Sequence, residues 1–328
     1  MAKGYICAVQ LRWTPEMYKS RESFHGRLKS VLDKLVEKLP EQRDDTLVAF
    51  PEDIGTPLVF LDGPESLFRS KTLKGAIGRL IICNTLKVLS CKLSYRVGWM
   101  RALALAKAKS MGKVYFDVFS SLAAEYGVYI AAGSVLLPQF GLNADISRID
   151  YSIRDGNVYN ICFLFGPDGR LIGSQKKVYL VPGFEDKTGF DITGGSLDEL
   201  DVFYTPLGRI GIAVCLDAFK EDVVNRLEEK GAEILIQPSA NPAPWTKEQQ
   251  LDWLNSSWKA VDRSKCLQYA LNPMMTGLLF DLGFEGQSAI FCRNAQNGLG
   301  YTGLEQRPHF AALARSFLDE EILIYKLD

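Results

Sequence analysis

The sequence predicts a layered α/β fold, and three observations carry the prediction. About ten short runs rich in β-branched and aromatic residues recur along the chain. Stretches of helical periodicity alternate with them. A Pro167-Asp168-Gly169 turn joins two of the runs directly, which makes part of the sheet antiparallel.

In chain order the strands are expected at residues 5–11, 46–50, 128–135, 157–165, 171–176, 209–215, 233–237, 266–271, 288–291 and 321–327. The first helix is expected to open at Thr14-Pro15-Glu16, with Thr14 as cap and Pro15 in the first turn. Further helices are expected at 114–126, 219–230 and 245–265. No repeat, low-complexity stretch or Gly/Ser linker divides residues 1–328, so one domain is expected.

Composition narrows the function. With 47% hydrophobic and 23% charged residues, 328 residues bury a large core. A formal net charge of −1 gives no global attraction to a polyanion, so no nucleic-acid partner is expected. The seven cysteines are odd in number and form no C-x-x-C pair, which fits reduced thiols and a cytoplasmic setting.

Only two histidines, His25 and His309, are present, and neither lies at metal-ligand spacing, so no metal is expected. Neither a G-x-G-x-x-G nor a P-loop pattern occurs, and no cofactor is expected. The opening residues 1–10 are too short an apolar run for a signal peptide and read as a strand. The uncharged stretch 266–280 is about five residues short of a membrane span.

Three strand ends carry reactive side chains. Glu52 follows the apolar run through Phe50-Pro51, Lys177 ends another strand beside Lys176, and Cys215 closes 209–214 where a helical pattern begins. Taken singly, each has an ordinary reading: a solvated acid, a solvated lysine pair and a buried structural thiol. Together they supply the base, the cation and the nucleophile that thiol-based acyl chemistry needs.

Their order and flanks resemble the carbon-nitrogen hydrolase (nitrilase-like) superfamily. Phe50-Pro51-Glu52 is similar to its glutamate motif, Lys176-Lys177-Val178-Tyr179-Leu180 to its lysine motif, and Gly211-Ile212-Ala213-Val214-Cys215-Leu216-Asp217 to its nucleophile motif. Gly133-Ser134, Val158-Tyr159-Asn160, Gln237-Pro238-Ser239-Ala240 and Gly286-Gln287-Ser288-Ala289-Ile290 are also family-like. The resemblance implies a four-layer α-β-β-α sandwich, usually assembled as a homodimer or higher oligomer.

It further implies that Glu52 is the general base, that Lys177 steadies the oxyanion with the Leu216 backbone N–H, and that Cys215 forms a thioester. The segment from Lys177 through Val181-Pro182 to Glu185 resembles apolipoprotein N-acyltransferases and makes Glu185 a candidate fourth site residue; otherwise it is a loop acid, with Gln139 the next polar candidate. Leu216-Asp217 stands where nitrilases tend to carry Trp-Glu, so the amidase branch fits better. The arginine common after the amidase nucleophile is replaced by Ala218-Phe219-Lys220.

The leading expectation is hydrolysis of a small-molecule carboxamide through a cysteinyl thioester. Alternatives are acyl transfer to an amine, nitrile hydrolysis, or a non-catalytic binding protein on the same fold.

Residues 66–116 stand apart, with eleven basic residues and no acidic one, so the remainder carries −12. Ile82, Leu86, Leu89, Leu93, Val97, Met100 and Leu103 recur at spacings of three and four, an apolar stripe on one helix or on two joined near Gly98. This basic helical insertion is expected to stand near the mouth of the site as packing or an oligomer interface, as a lid, or as peripheral contact with the inner membrane face.

Overall fold

The computed structural model describes residues 4–40 and 45–327, and every count below refers to these. A ten-stranded sheet runs Ser239–Ala240, Met274–Leu279, Gly4–Trp13, Asp45–Ala49, Tyr129–Ala131, Tyr159–Phe165 and Val135–Leu137. Leu282–Phe284, Glu321–Lys326 and Leu171–Lys176 pair onto that path. A second sheet of six runs Phe310–Leu313, Ala289–Cys292, Tyr269–Asn272, Ile234–Ile236, Gly208–Ile212 and Val202–Thr205.

Strand alternation sends neighbouring side chains to different cores. From Gly4–Trp13, Cys7 and Val9 join Leu28 and Phe119 in one cluster, while Ile6 and Ala8 join Ile210, Leu235 and Ala270 of the second sheet in another. Helices close both outer faces. The first cluster takes in α1 (Arg21–Val36), α2 (Glu65–Phe68), α3 (Leu73–Cys83), α4 (Thr85–Tyr95) and α5 (Trp99–Tyr126). The second takes in α6 (Glu221–Glu229), α7 (Lys247–Trp253) and α8 (Ser257–Arg263). The layers are helix, sheet, sheet, helix, the sandwich that the motifs implied.

Several element boundaries differ from expectation. The run 128–135 is two strands, because Gly133 at φ +63° turns the chain between them. The run 209–215 stops pairing at Ile212, and 245–265 breaks between Trp253 and Ser257 into α7 and α8. Thr14 makes no capping bond; Pro15–Tyr18 is a short 3-10 turn, and Ser20 caps α1 by accepting from the Ser23 N–H.

The basic segment forms three helices and the start of a fourth. α5 begins after Gly98 and continues for 28 residues, so the expected helix at 114–126 is its C-terminal half, which buries Tyr115 and Phe119 on the first sheet. The apolar stripe is not the inward face of α4. Val88 is fully buried, Cys91 and Tyr95 are half-buried on the same side, and the Tyr95 hydroxyl donates to the Ile153 carbonyl. Ile82, Leu86 and Leu93 instead face outward, 74%, 85% and 68% exposed.

Candidate active site

Glu52 is delivered by the strand Asp45–Ala49 and the buried Phe50-Pro51. Gly133 passes directly beneath this turn: a Cβ there would lie 2.0 Å from the Pro51 carbonyl oxygen, so only glycine fits. Ser134 Oγ then accepts the Asp53 backbone N–H at 2.8 Å and pins the loop.

Lys177 extends the pairing of Leu171–Lys176 by one residue, its N–H donating to the Asn160 carbonyl at 2.8 Å. Alternation along the strand separates the two lysines. Lys176 Nζ donates to Gln139 Oε1 and Glu199 Oε1, whereas the Lys177 side chain is 1% exposed.

Cys215 opens a 3-10 turn, Cys215–Phe219, at φ +49°, a left-handed conformation uncommon for a side-chain-bearing residue. It is held from both sides. Its N–H donates to the Pro238 carbonyl at 2.9 Å, and its carbonyl accepts from Gln237 Nε2 at 3.2 Å. Gln237 is fixed in turn by Ser257, whose N–H and hydroxyl both donate to Oε1.

These side chains converge. Lys177 Nζ donates to Glu52 Oε1 at 2.8 Å and to the Glu185 carboxylate at 2.9 Å. Asn160 Nδ2 donates to the same two carboxylates, at 3.0 Å to Glu52 and 3.3 Å to Glu185. Cys215 lies within electrostatic reach of Glu52, whose Oε2 accepts the Ala240 N–H at 3.2 Å. Glu185 is therefore part of the cluster rather than a loop acid in water, and Gln139 is not.

Burial raises the Glu52 carboxyl above its ordinary range; Lys177 pulls it back and Glu185 pushes it further. Burial disfavours the Lys177 ammonium, but Glu52, Cys215 and Glu185 outweigh it, and the net shift is upward. Burial and then Glu52 push the Cys215 thiol well up, so at rest it is a protonated thiol beside a carboxylate. The Leu216 N–H has no acceptor among the described residues.

Two residues were not singled out from sequence. Asn160 was noted only within a motif, although a polar residue inside the apolar strand Tyr159–Phe165 is itself a signal. Asp217 is fully buried and accepts the N–H groups of Val178 at 2.9 Å and Tyr179 at 2.8 Å. Its carboxyl is pushed up to about 7 by burial, against the pull of those two bonds. Asp53 also rises to about 7, by burial and then by Glu52.

From Glu185 and Asp53 a narrow cleft of about 70 Å³ opens between α3, α5 and the segment 181–192. Its walls include Phe60, Ile77, Met100, Leu103, Phe184 and Leu282. Among the described residues no group of three or more His, Cys, Asp or Glu side chains is placed to hold a metal ion.

The pattern that defines the carbon-nitrogen hydrolases matches residues 91–291, which takes in Asn160, Lys177, Glu185 and Cys215 and leaves Glu52 outside. The chain is similar to omega-amidase NIT2 of Xenopus tropicalis, 30% identical over 138 residues, 38% of this chain and 43% of that protein. It is also similar to the probable hydrolase YhcX of Bacillus subtilis (strain 168), 28% identical over 137 residues, 42% and 23% of the two chains. The similarity thus spans less than half the length of these curated relatives.

Nit3 of Saccharomyces cerevisiae, a member of branch 10 of the nitrilase superfamily, superposes with a TM-score of 0.62 at 17% identity, covering 100% of this chain and 90% of that one. A carbon-nitrogen hydrolase of Helicobacter pylori G27 gives 0.58 at 20%, covering 99% and 89%. At such identities the likeness is one of fold. With more than half of its residues matching the family pattern on this four-layer sandwich, the chain belongs to the carbon-nitrogen hydrolase family.

Proposed function

We propose that the chain hydrolyses the C–N bond of a small carboxamide through a thioester on Cys215. One observation carries this reading: Lys177 Nζ lies within 2.9 Å of two buried carboxylates, one of which, Glu52, also acts electrostatically on the buried Cys215 thiol. The similarity to omega-amidases supports an amide as substrate.

In this mechanism Glu52 takes the thiol proton as Cys215 sulfur attacks the amide carbonyl. Lys177 Nζ and the Leu216 N–H meet the developing oxyanion. Collapse breaks the C–N bond, and the leaving amine takes the proton from Glu52. Water, deprotonated by Glu52, then attacks the thioester, and the departing sulfur recovers that proton as the acid is released. Glu185 shares the ammonium and so keeps Glu52 basic enough for both proton transfers.

The test is intact-mass spectrometry during turnover of primary amides, with ammonia measured in parallel. The expected result is an acyl adduct on Cys215 and stoichiometric ammonia. Ammonia release by Cys215→Ala at the parent rate would sink the thioester.

We also propose that the outer face of α3 and α4 rests on an anionic bilayer. Ile82, Leu86 and Leu93 are exposed there among Arg79, Lys87 and Arg96. Among the described residues, the segment's ion pairs are Arg69 with Glu65 and Arg101 with Asp191, which leaves most of its charge uncompensated. A two-fold pairing of this face with a second copy would set base against base. No helix of the described residues is long and apolar enough to cross a membrane, so such contact is peripheral.

A further inference from the structure

The cleft has a polar end and an apolar body. Its polar lining is Asp53, Thr56 and Glu185. Thr56 Oγ1 donates to Asp53 Oδ1 at 2.6 Å, and Glu185, which accepts from Lys177, is the member of the buried cluster that lines the cleft. The other lining side chains are apolar, from Trp13 and Phe284 to Leu73 and Ile77.

Leu73, Ile77, Met100, Phe184 and Leu282 also line a more open depression whose rim carries Lys74 and Asp281. The apolar path therefore runs from the carboxylate cluster to solvent. No basic residue lines the inner cleft, so an acyl group ending in a carboxylate would lose its hydration there without a partner.

We propose that this cleft is an acyl-chain subsite, and that the substrate is a primary amide of an unbranched hydrocarbon chain without a distal charge. The proposal rests on the hydrolase reading for the chemistry at Cys215, but the subsite itself is a matter of binding. The reacting amide sits at Glu185 and Lys177, and the chain lies between α3, α5 and Phe184. Residues of the basic segment thus select the substrate: Ile77 on α3, and Met100, Leu103 and Ala104 on α5.

The experiment compares propanamide, hexanamide and octanamide in two measurements. Binding to Cys215→Ala is followed by calorimetry, which needs no turnover, and kcat/KM is measured on the parent. Burial of each methylene is expected to tighten binding and raise kcat/KM about fourfold. Ala104→Trp fills the cleft from α5, and Ile77→Asp, a second variant with a different folding risk, puts a charge at its mouth. Both are expected to collapse the ratio of octanamide to propanamide, a ratio that a general loss of active protein leaves unchanged.

Chain-length dependence of binding without hydrolysis of any of the three amides would remove the hydrolase reading and leave the subsite standing. Hydrolysis with affinity and kcat/KM independent of chain length would overturn the subsite and leave the hydrolase. A parent-like ratio in both variants would also overturn it.

Discussion

Asp217 accepts the backbone N–H of Tyr179 at 2.8 Å, and so ties the turn that presents Cys215 to the segment that presents Lys177. Asp217→Asn is expected to lower kcat about a hundredfold by misplacing Cys215 and Lys177, with a smaller effect on KM. Steady-state kinetics on an amide substrate check the split between the two constants.

The same carboxyl makes stability depend on pH. Its folded value of about 7 lies above its ordinary value of 3.8, so the native state holds the proton more tightly than the unfolded chain. The stabilisation is complete below about pH 4 and is lost as pH rises through about 7. Denaturant unfolding across this window should show falling stability in the parent, and Asp217→Asn should flatten part of the slope. Asp53, also at about 7, and the raised Glu52 carboxyl contribute in the same direction.

Glu185 raises the Glu52 carboxyl, so Glu185→Gln is expected to move the acid limb of kcat/KM to lower pH while slowing the acylation step. A pH profile with an unmoved acid limb would show that the two carboxylates are not coupled. Glu52→Gln, in contrast, should cut kcat by about 10² to 10⁴ at every pH.

Asn160 Nδ2 is the neutral donor between two carboxylates, and Asn160→Ala leaves their oxygens short of one bond each. The expected cost is about 1–3 kcal/mol of stability, read from the urea midpoint at constant m-value.

Parent protein should co-sediment with anionic vesicles at low salt and be released at high salt, with about 1 kcal/mol contributed by each engaged basic residue. The double variant Leu86→Asp, Leu93→Asp should remain in the supernatant. Failure of the parent to bind, or concentration-dependent self-association through this face, would remove the bilayer reading.

The layers and the Glu52, Lys177 and Cys215 neighbourhood were visible in the sequence because strand ends and short motifs are local. Val202–Thr205, Met274–Leu279 and Phe310–Leu313 were not, since each is short and Met274–Leu279 contains Gly277 at φ +88°. Which faces of α3 and α4 turn inward was equally hidden: the outward set at Ile82, Leu86 and Leu93 is as apolar as the inward set of Ala76, Leu80 and Val88, and tertiary contacts alone decide between them. Asn160 and Asp217 matter through partners more than a hundred and nearly forty residues away in sequence, and no local pattern reports such pairings.

The protonated resting state of Cys215 bears on chemical durability. Peroxide and alkylating agents attack thiolates, and this sulfur, buried against an acidic neighbour, has little thiolate to offer them. Cys83 and Cys266 lie exposed and are expected to be oxidised first. In the proposed mechanism the thiolate forms only as Cys215 attacks the amide, so the sulfur would be shielded from such damage between turnovers.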